Sequence, residues 1–291
     1  MLKKLFIIGL FFTGLALQGC DSVVSQNSET EVVNISPAEI KKETRQPQKD
    51  EVPNQQKVEF KGVSFSYNQQ IFGEVKIEEV AELPLENEDD KPENVAPQHR
   101  LFTFAERNQR NATIAVYPIA EFRRVWLPVE KNNTKIFDED LNSLKELIKN
   151  PKLRREGEIP FLTYYDAHQT FQAKAKNFSF QNGKGIFFLT QINQDYLFIN
   201  NNQIAYFFQG ISEDGKNYIL AEFPVSVSFL PKDQYVENFE GYSISENDPT
   251  GKKYKEYVAK ITKRLENLPS DKYEPNLKYF EEIISSLRIE K

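Results

Sequence analysis

Groups able to act as nucleophiles, bases or metal ligands are scarce in this chain. Its 291 residues include one cysteine and two histidines. His99 and His168 belong to no His-Glu-x-x-His pattern, the helical spacing that turns two imidazoles toward one zinc ion. The fold could still bring them together with Asp166 as a third ligand. A simpler reading leaves His99 solvated in the loop after Pro97 and makes His168 a polar residue near a helix or strand end. No Gly-x-Ser-x-Gly elbow presents a serine nucleophile. Asp248-Pro249-Thr250-Gly251-Lys252 lacks the glycine spacing and the following Ser or Thr of a phosphate-binding loop, so it reads as a turn before a helix. Glu86 to Asp90 and Asp138-Glu139-Asp140 lack the central glycine and closing glutamate of a calcium loop. They read as a solvated loop and a helix start. With 43 acidic residues, carboxylate pairs suited to glycoside hydrolysis must occur, and nothing singles one out. Trp126, Tyr165 and His168 remain as candidates for a ligand cleft, although most aromatics sit at strand or helix spacing and read first as core. No catalytic residue, metal or cofactor is assigned.

The cysteine has a different use. Met1-Leu2-Lys3-Lys4 is a basic start, and Leu5 to Leu17 is an apolar run interrupted only by Gly9, Thr13 and Gly14. A bilayer span needs roughly 20 apolar residues. This run is shorter and has the size of a secretory signal's apolar region. It ends Leu17-Gln18-Gly19-Cys20, which resembles the bacterial lipobox: an aliphatic residue, a loosely restricted one, a small one, then cysteine. The resemblance implies cleavage between Gly19 and Cys20, a diacylglyceryl group on the Cys20 sulfur, and a further acyl chain such as palmitate on the new amine. It would remove Cys20 from any thiol mechanism. Asp21 resembles an inner-membrane retention signal in bacteria that sort lipoproteins.

Residues 21–57 contain no aromatic and no glycine, and they carry Pro37, Pro47 and Pro53. Such a stretch buries too little apolar surface to offset its chain entropy and is expected to be a disordered tether. As a random coil it would reach about 35 Å. Within it, Val32-Val33-Asn34-Ile35 reads as a few apolar residues in a linker before it reads as a docking patch. The net charge is −6, and losing Lys3 and Lys4 with a leader makes the chain more acidic still. Phosphate backbones would be repelled, so no nucleic-acid partner is expected. A single cysteine excludes an internal disulfide, so packing must hold the fold.

The elements that would position any site begin at residue 58. Val58 to Tyr67 is a strand candidate whose apolar parity changes at Gly62, where a bulge or tight turn would switch faces. Val75 and Ile77 mark another strand. Leu83 to Pro97 reads as an acidic loop, and Leu101–Ala105 and Thr113–Pro118 as a strand pair. Ile119, Phe122 and Trp126 suggest a short helix, and Asp138 is expected to cap a clearer one through Leu141, Leu144 and Ile148. Between Phe171 and Phe229, four apolar runs are joined at Gln181-Asn182-Gly183, Asn200-Asn201-Asn202 and Glu213-Asp214-Gly215. They predict an antiparallel meander. Asn182-Gly183 is expected to supply a two-residue turn with positive φ. Ile186 to Leu189 is apolar on both parities, so both faces of the sheet should be covered. Tyr254 to Leu268, ended by Pro269, and Leu277 to Leu287 follow helical spacing and need that sheet to bury against.

The stretches Gly62–Tyr67, Val116–Pro118, Phe187–Gln191, Tyr206–Lys216, Phe223–Val225 and the ending Ser286-Leu287 resemble a group of uncharacterised bacterial envelope proteins of cyanobacterial and Chloroflexi type. That likeness implies one continuous domain and a location, not a reaction. A looser likeness to PsbP-like proteins rests on Gly62 to Tyr67 and Ser285 to Ile289 and extends to fold alone.

The sequence thus predicts a signal over 1–19, a lipidated Cys20 with a tether to 57, and one α+β domain over 58–291. In that domain an antiparallel meander is flanked by helices, two of them C-terminal and packed on the sheet. The partners expected are the lipid bilayer, through acylated Cys20, and an envelope protein. The leading role is a non-catalytic binding or accessory module on the outer side of the cytoplasmic membrane. An envelope hydrolase using carboxylates and a small-molecule or lipid carrier are the alternatives.

Overall fold

Runs with a period of two become strands and runs at three- and four-residue spacing become helices. The computed structural model describes residues 54–83, 95–106, 110–126, 131–150, 158–163, 167–243 and 251–290. Gly19, Cys20, residues 21–53 of the expected tether, Glu86 to Asp90 and Tyr164 to Asp166 lie outside the described residues, while Gln55 to Lys57, expected at the end of that tether, are instead paired in a strand.

Strand β1 (Gln55–Phe60) turns through Lys61 and Gly62 into β2 (Val63–Asn68). Both turn residues have positive φ, 44° and 76°, as a two-residue hairpin matched to strand twist requires. Gly62 therefore marks a tight turn. The single turn α1 (Gln69–Phe72) is capped by the Asn68 side chain. It leads to β3 (Val75–Val80), β4 (His99–Phe104) and β5 (Thr113–Pro118). Helices α2 (Ile119–Trp126) and α3 (Lys131–Lys149) follow. Next come the short β6 (His168–Gln169), then β7 (Ala173–Phe180), β8 (Gly183–Thr190) and the short β9 (Ile192–Asn193). Strands β10 (Ala205–Ser212) and β11 (Asn217–Pro224) complete the meander, and β12 (Asn238–Phe239) pairs with β13 (Tyr242–Ser243). Helices α4 (Lys252–Asn267) and α5 (Leu277–Ser286) precede β14 (Arg288–Ile289).

The main sheet has seven strands in the order β3-β4-β5-β11-β10-β8-β7, antiparallel at every pairing. Alternation along its strands builds two cores. Phe187, Leu189, Tyr206, Phe208 and Phe223 face one way, toward α4, α5 and the small sheet β1-β2-β14. Ile186, Phe188, Phe207 and Leu220 face the other, toward Phe122 and Val125 of α2 and Phe137, Leu141 and Leu144 of α3. Both faces of β8 are covered, as its double-parity apolar run requires. Each such fully buried side chain contributes about 1.5–3 kcal/mol. On the first face, Phe280 of α5 stacks on Phe223 with ring centroids 4.5 Å apart, and Phe65 of β2 meets Phe102 edge-on at 5.2 Å. Side chains thus fill the layer between the sheet and the last helix.

Three expectations need correction. The β7–β8 hairpin forms, but its loop is Gln181-Asn182, with Phe180 paired to Gly183, and neither Asn182 nor Gly183 has positive φ. Gly183 is instead a strand residue whose missing side chain makes room: a Cβ there would strike the Phe180 ring and the Ile211 carbonyl. Asp138 caps nothing, because α3 begins seven residues earlier at Lys131. Phe137 stacks on Phe122 at 5.3 Å, and Asp138 pairs with Arg123, so contacts to α2 hold the added turns. His99 is not a solvated loop residue. It opens β4, stacks on Tyr117 at 4.4 Å and lies 2.8 Å through Nδ1 from the Pro97 carbonyl. Burial holds its pKa below the ordinary value.

Candidate functional site

Beside the first turns of α4 lies an open cleft of about 390 Å³, with His168, Asn193 and Tyr196 on one side and Tyr254 and Lys255 on the other. Two backbone pairings build the first side. β6 pairs with β9, placing His168 opposite Asn193, and the Thr170 N–H donates to the Gln191 carbonyl at 2.8 Å. The Gln169 side chain holds Ile159 by both its carbonyl and its N–H, as a strand neighbour would.

Beyond β9 the chain runs through Tyr196 to Asn200 in no regular element, so its backbone groups need partners from elsewhere. Two phenols on α4, three residues apart and hence on one helix face, supply them. Tyr254 donates to the Leu197 carbonyl at 2.9 Å, and the Ile199 N–H donates to the Tyr257 hydroxyl at 2.9 Å. Burial, with a smaller contribution from nearby Tyr242, pushes Tyr254 up to about 12, and burial raises Tyr257 as well. Both phenols therefore stay neutral and hydrogen-bonding. From inside, the fully buried Gln191 braces the segment, donating to the Phe198 carbonyl at 3.0 Å and accepting from the Asn200 N–H at 3.0 Å. The aromatic floor continues with Phe198 against Tyr257 at 5.5 Å and Tyr242 stacked on Tyr257 at 5.4 Å.

Tyr196 projects from this braced segment. It is 61% exposed, and its ring lies against Tyr254 with centroids 4.6 Å apart. Asn193 is its opposite, 7% exposed. Its side-chain N–H donates to the Thr170 hydroxyl at 3.3 Å, while its Oδ1 is buried with no hydrogen-bond partner among the described residues.

Of the cleft candidates chosen from sequence, His168 is the one found there among the described residues. It sits on the rim, its side chain 83% exposed and its Nδ1 3.4 Å from Glu158. Trp126 ends α2, which packs on the sheet face opposite α4. Its side chain and the whole of Tyr165 lie outside the described residues. His99 belongs to a separate charged recess with Lys61, Glu79, Arg100 and Arg124, so the histidines do not share a site. There Lys61 pairs with Glu79, and Arg124 with Glu82 and Glu121. Among the described residues, no group of three or more His, Cys, Asp or Glu side chains could hold a metal ion, and no helix is long and apolar enough to cross a membrane. Sequence reasoning missed Tyr196, Asn193 and Tyr254. The amide-rich run Gln191 to Tyr196 was the available signal, since an aromatic there fits neither strand nor helix spacing.

The chain matches no protein-family model, no curated protein and no solved structure.

Proposed function

We propose that this chain is a membrane-anchored lipoprotein whose folded part is a non-catalytic binding module on the outer side of the cytoplasmic membrane. One observation carries the reading: the basic start and short apolar run end in Leu17-Gln18-Gly19-Cys20. Each buried methylene of an acyl chain contributes about 0.8 kcal/mol, and two or more chains anchor where one does not. The likeness to bacterial envelope proteins agrees with that placement. For the role, the support is the open cleft beside α4, where the exposed ring of Tyr196 offers a contact to a ligand. A carrier would need an apolar cavity between the sheet and the last helices, where Phe280 instead stacks on Phe223.

The anchor is tested by replacing Cys20 with Ser and fractionating cells. The native protein should sediment with membranes, resist high salt and be released by detergent, while the Cys20→Ser chain should not remain attached in this way. Equal membrane attachment of the two would refute lipid anchoring through Cys20.

A further inference from the structure

A sheet that ends in a bare strand offers its unused backbone groups to another chain. The two ends of the seven-stranded sheet differ in this respect. At β7 the register with β8 breaks between Ala173 and Lys176, Lys174 has a φ of 55°, and the Glu266 carboxylate of α4 accepts from the Lys174 N–H. That edge is bent and capped. At the other end β3 pairs with β4 residue for residue from Val75 to Val80, and among the described residues no strand pairs with its outer side. Alternation says which groups point outward. The Phe104 N–H donates to the Ala112 carbonyl at 2.9 Å, so Phe104, Phe102 and Arg100 turn their backbone groups toward β5, and Thr103, Leu101 and His99 turn theirs toward β3. Their partners Lys76, Glu78 and Val80 therefore bond inward. Val75, Ile77 and Glu79 hold their N–H and C=O groups outward.

The side chains on that edge select its occupant. Ile77 is 38% exposed and lies on the sheet face of Phe102, its partner in β4. Lys76 and Glu78 share the opposite face, 2.8 Å apart. A second copy of β3 running antiparallel about a two-fold axis can exchange bonds only between outward residues. With the axis at Ile77, the two Ile77 residues meet and each Val75 meets Glu79 of the second copy, and every such pair exchanges two backbone hydrogen bonds. In the same register each Lys76 lies opposite Glu78 of the second copy, so opposite charges face each other twice. Moving the axis to Lys76 would oppose two lysines, and moving it to Glu78 would oppose two glutamates, both destabilising. The edge is thus complementary to itself in one register, as a two-fold interface requires. We propose that β3 is a self-association edge through which two copies of this chain join antiparallel, Ile77 against Ile77, into one continuous sheet. The interface is narrow, so the dimer is a reversible one.

The test is sedimentation equilibrium of the full-length protein in a density-matched detergent, at concentrations up to about 200 µM, where even a ~100 µM dimer is half formed. A reversible monomer–dimer equilibrium should appear. Ile77→Pro removes an N–H that bonds nothing within the chain, so the melting temperature should hold while the dissociation constant rises about tenfold or more. Glu78→Lys sets like charges opposite each other and should weaken the dimer about tenfold. Adding Lys76→Glu to it exchanges the signs and should restore the native dissociation constant. This pair of variants leaves the backbone untouched and reads the edge even where proline disturbs folding. Monomer at every concentration overturns the proposal. So does a dimer that neither Ile77→Pro nor Glu78→Lys weakens, or a double variant no tighter than Glu78→Lys alone. The dimer should persist in the Cys20→Ser chain. Its loss there would assign association to the anchor and overturn the proposal, whereas failure of lipid attachment leaves the β3 edge standing.

Discussion

Replacing Gln191 with Leu should loosen the segment that carries Tyr196 without opening a large void. Leucine has a volume similar to glutamine's, on a chain one bond shorter, and no polar atoms. Gln191 makes three bonds: from its Nε2 to the Phe198 carbonyl at 3.0 Å and to Gln203 Oε1 at 3.2 Å, and into its Oε1 from the Asn200 N–H at 3.0 Å. The partners do not suffer equally. The Phe198 carbonyl keeps the Asn200 side chain at 2.8 Å, and Gln203 Oε1 keeps it as well. The Asn200 N–H keeps nothing, in a residue that is fully buried. One orphaned buried donor costs about 1–3 kcal/mol and two weakened acceptors add about 1, so the total is about 2–4 kcal/mol. With a urea slope of about 3 kcal/mol/M, the unfolding midpoint should fall by about 1 M. Circular dichroism against urea reads this directly. Hydrogen exchange should accelerate first at Ile199 and Asn200. A midpoint within about 0.2 M of the native value would show that Gln191 does not brace this segment.

Other consequences are independent of the cleft. Gly185 lies opposite Gly210, and a Cβ on it would strike the Gln209 carbonyl and the Phe208 ring. Gly185→Ala should therefore cost about 1–3 kcal/mol and lower the melting temperature by several degrees, and an unchanged melting curve would contradict the packing described. The half-buried carboxyl of Asp140 is pushed up to about 6 by burial and by Glu139. Its folded pKa lies above the unfolded value of about 3.9, so the stability it contributes is full below pH ~4 and lost as pH rises through ~6. Asp140→Asn should raise stability at pH 7 by on the order of 1 kcal/mol, after allowance for partial exposure, and flatten the slope between pH ~4 and ~6. Melting temperatures of both proteins across that range check it, and a parallel slope in the variant would assign the titration elsewhere.

What the sequence discloses is governed by how local the cause is. Ile186 to Leu189 and Ala205 to Phe208 predict strands covered on both faces because alternation within one strand carries that information, and the two cores meet it. Helices α4 and α5 are equally legible, since Tyr254, Tyr257, Ile261 and Leu265 state their own buried stripe. Gly183 was misread because a glycine before a strand looks the same whether a turn or a neighbouring ring demands it. The ring is that of Phe180, which register alone brings opposite. The start of α3 was misplaced for a similar reason: its first turns are held by Phe122 and Arg123 of another helix, not by a local cap. The cleft was the least legible feature. His168 drew notice as one of two histidines, yet it stands on the rim. The exposed residue of the cleft wall, Tyr196, gains its character from Tyr254, 58 residues further on.

On the proposed reading, hydrocarbon on Cys20 holds this acidic chain to a membrane. Intact-mass and peptide mass spectrometry of protein extracted from native membranes decides this. The expected chain begins at Cys20 and carries the mass of a diacylglyceryl group on that residue. A chain that retains Met1 to Gly19, or a Cys20 that is an unmodified thiol, would contradict it.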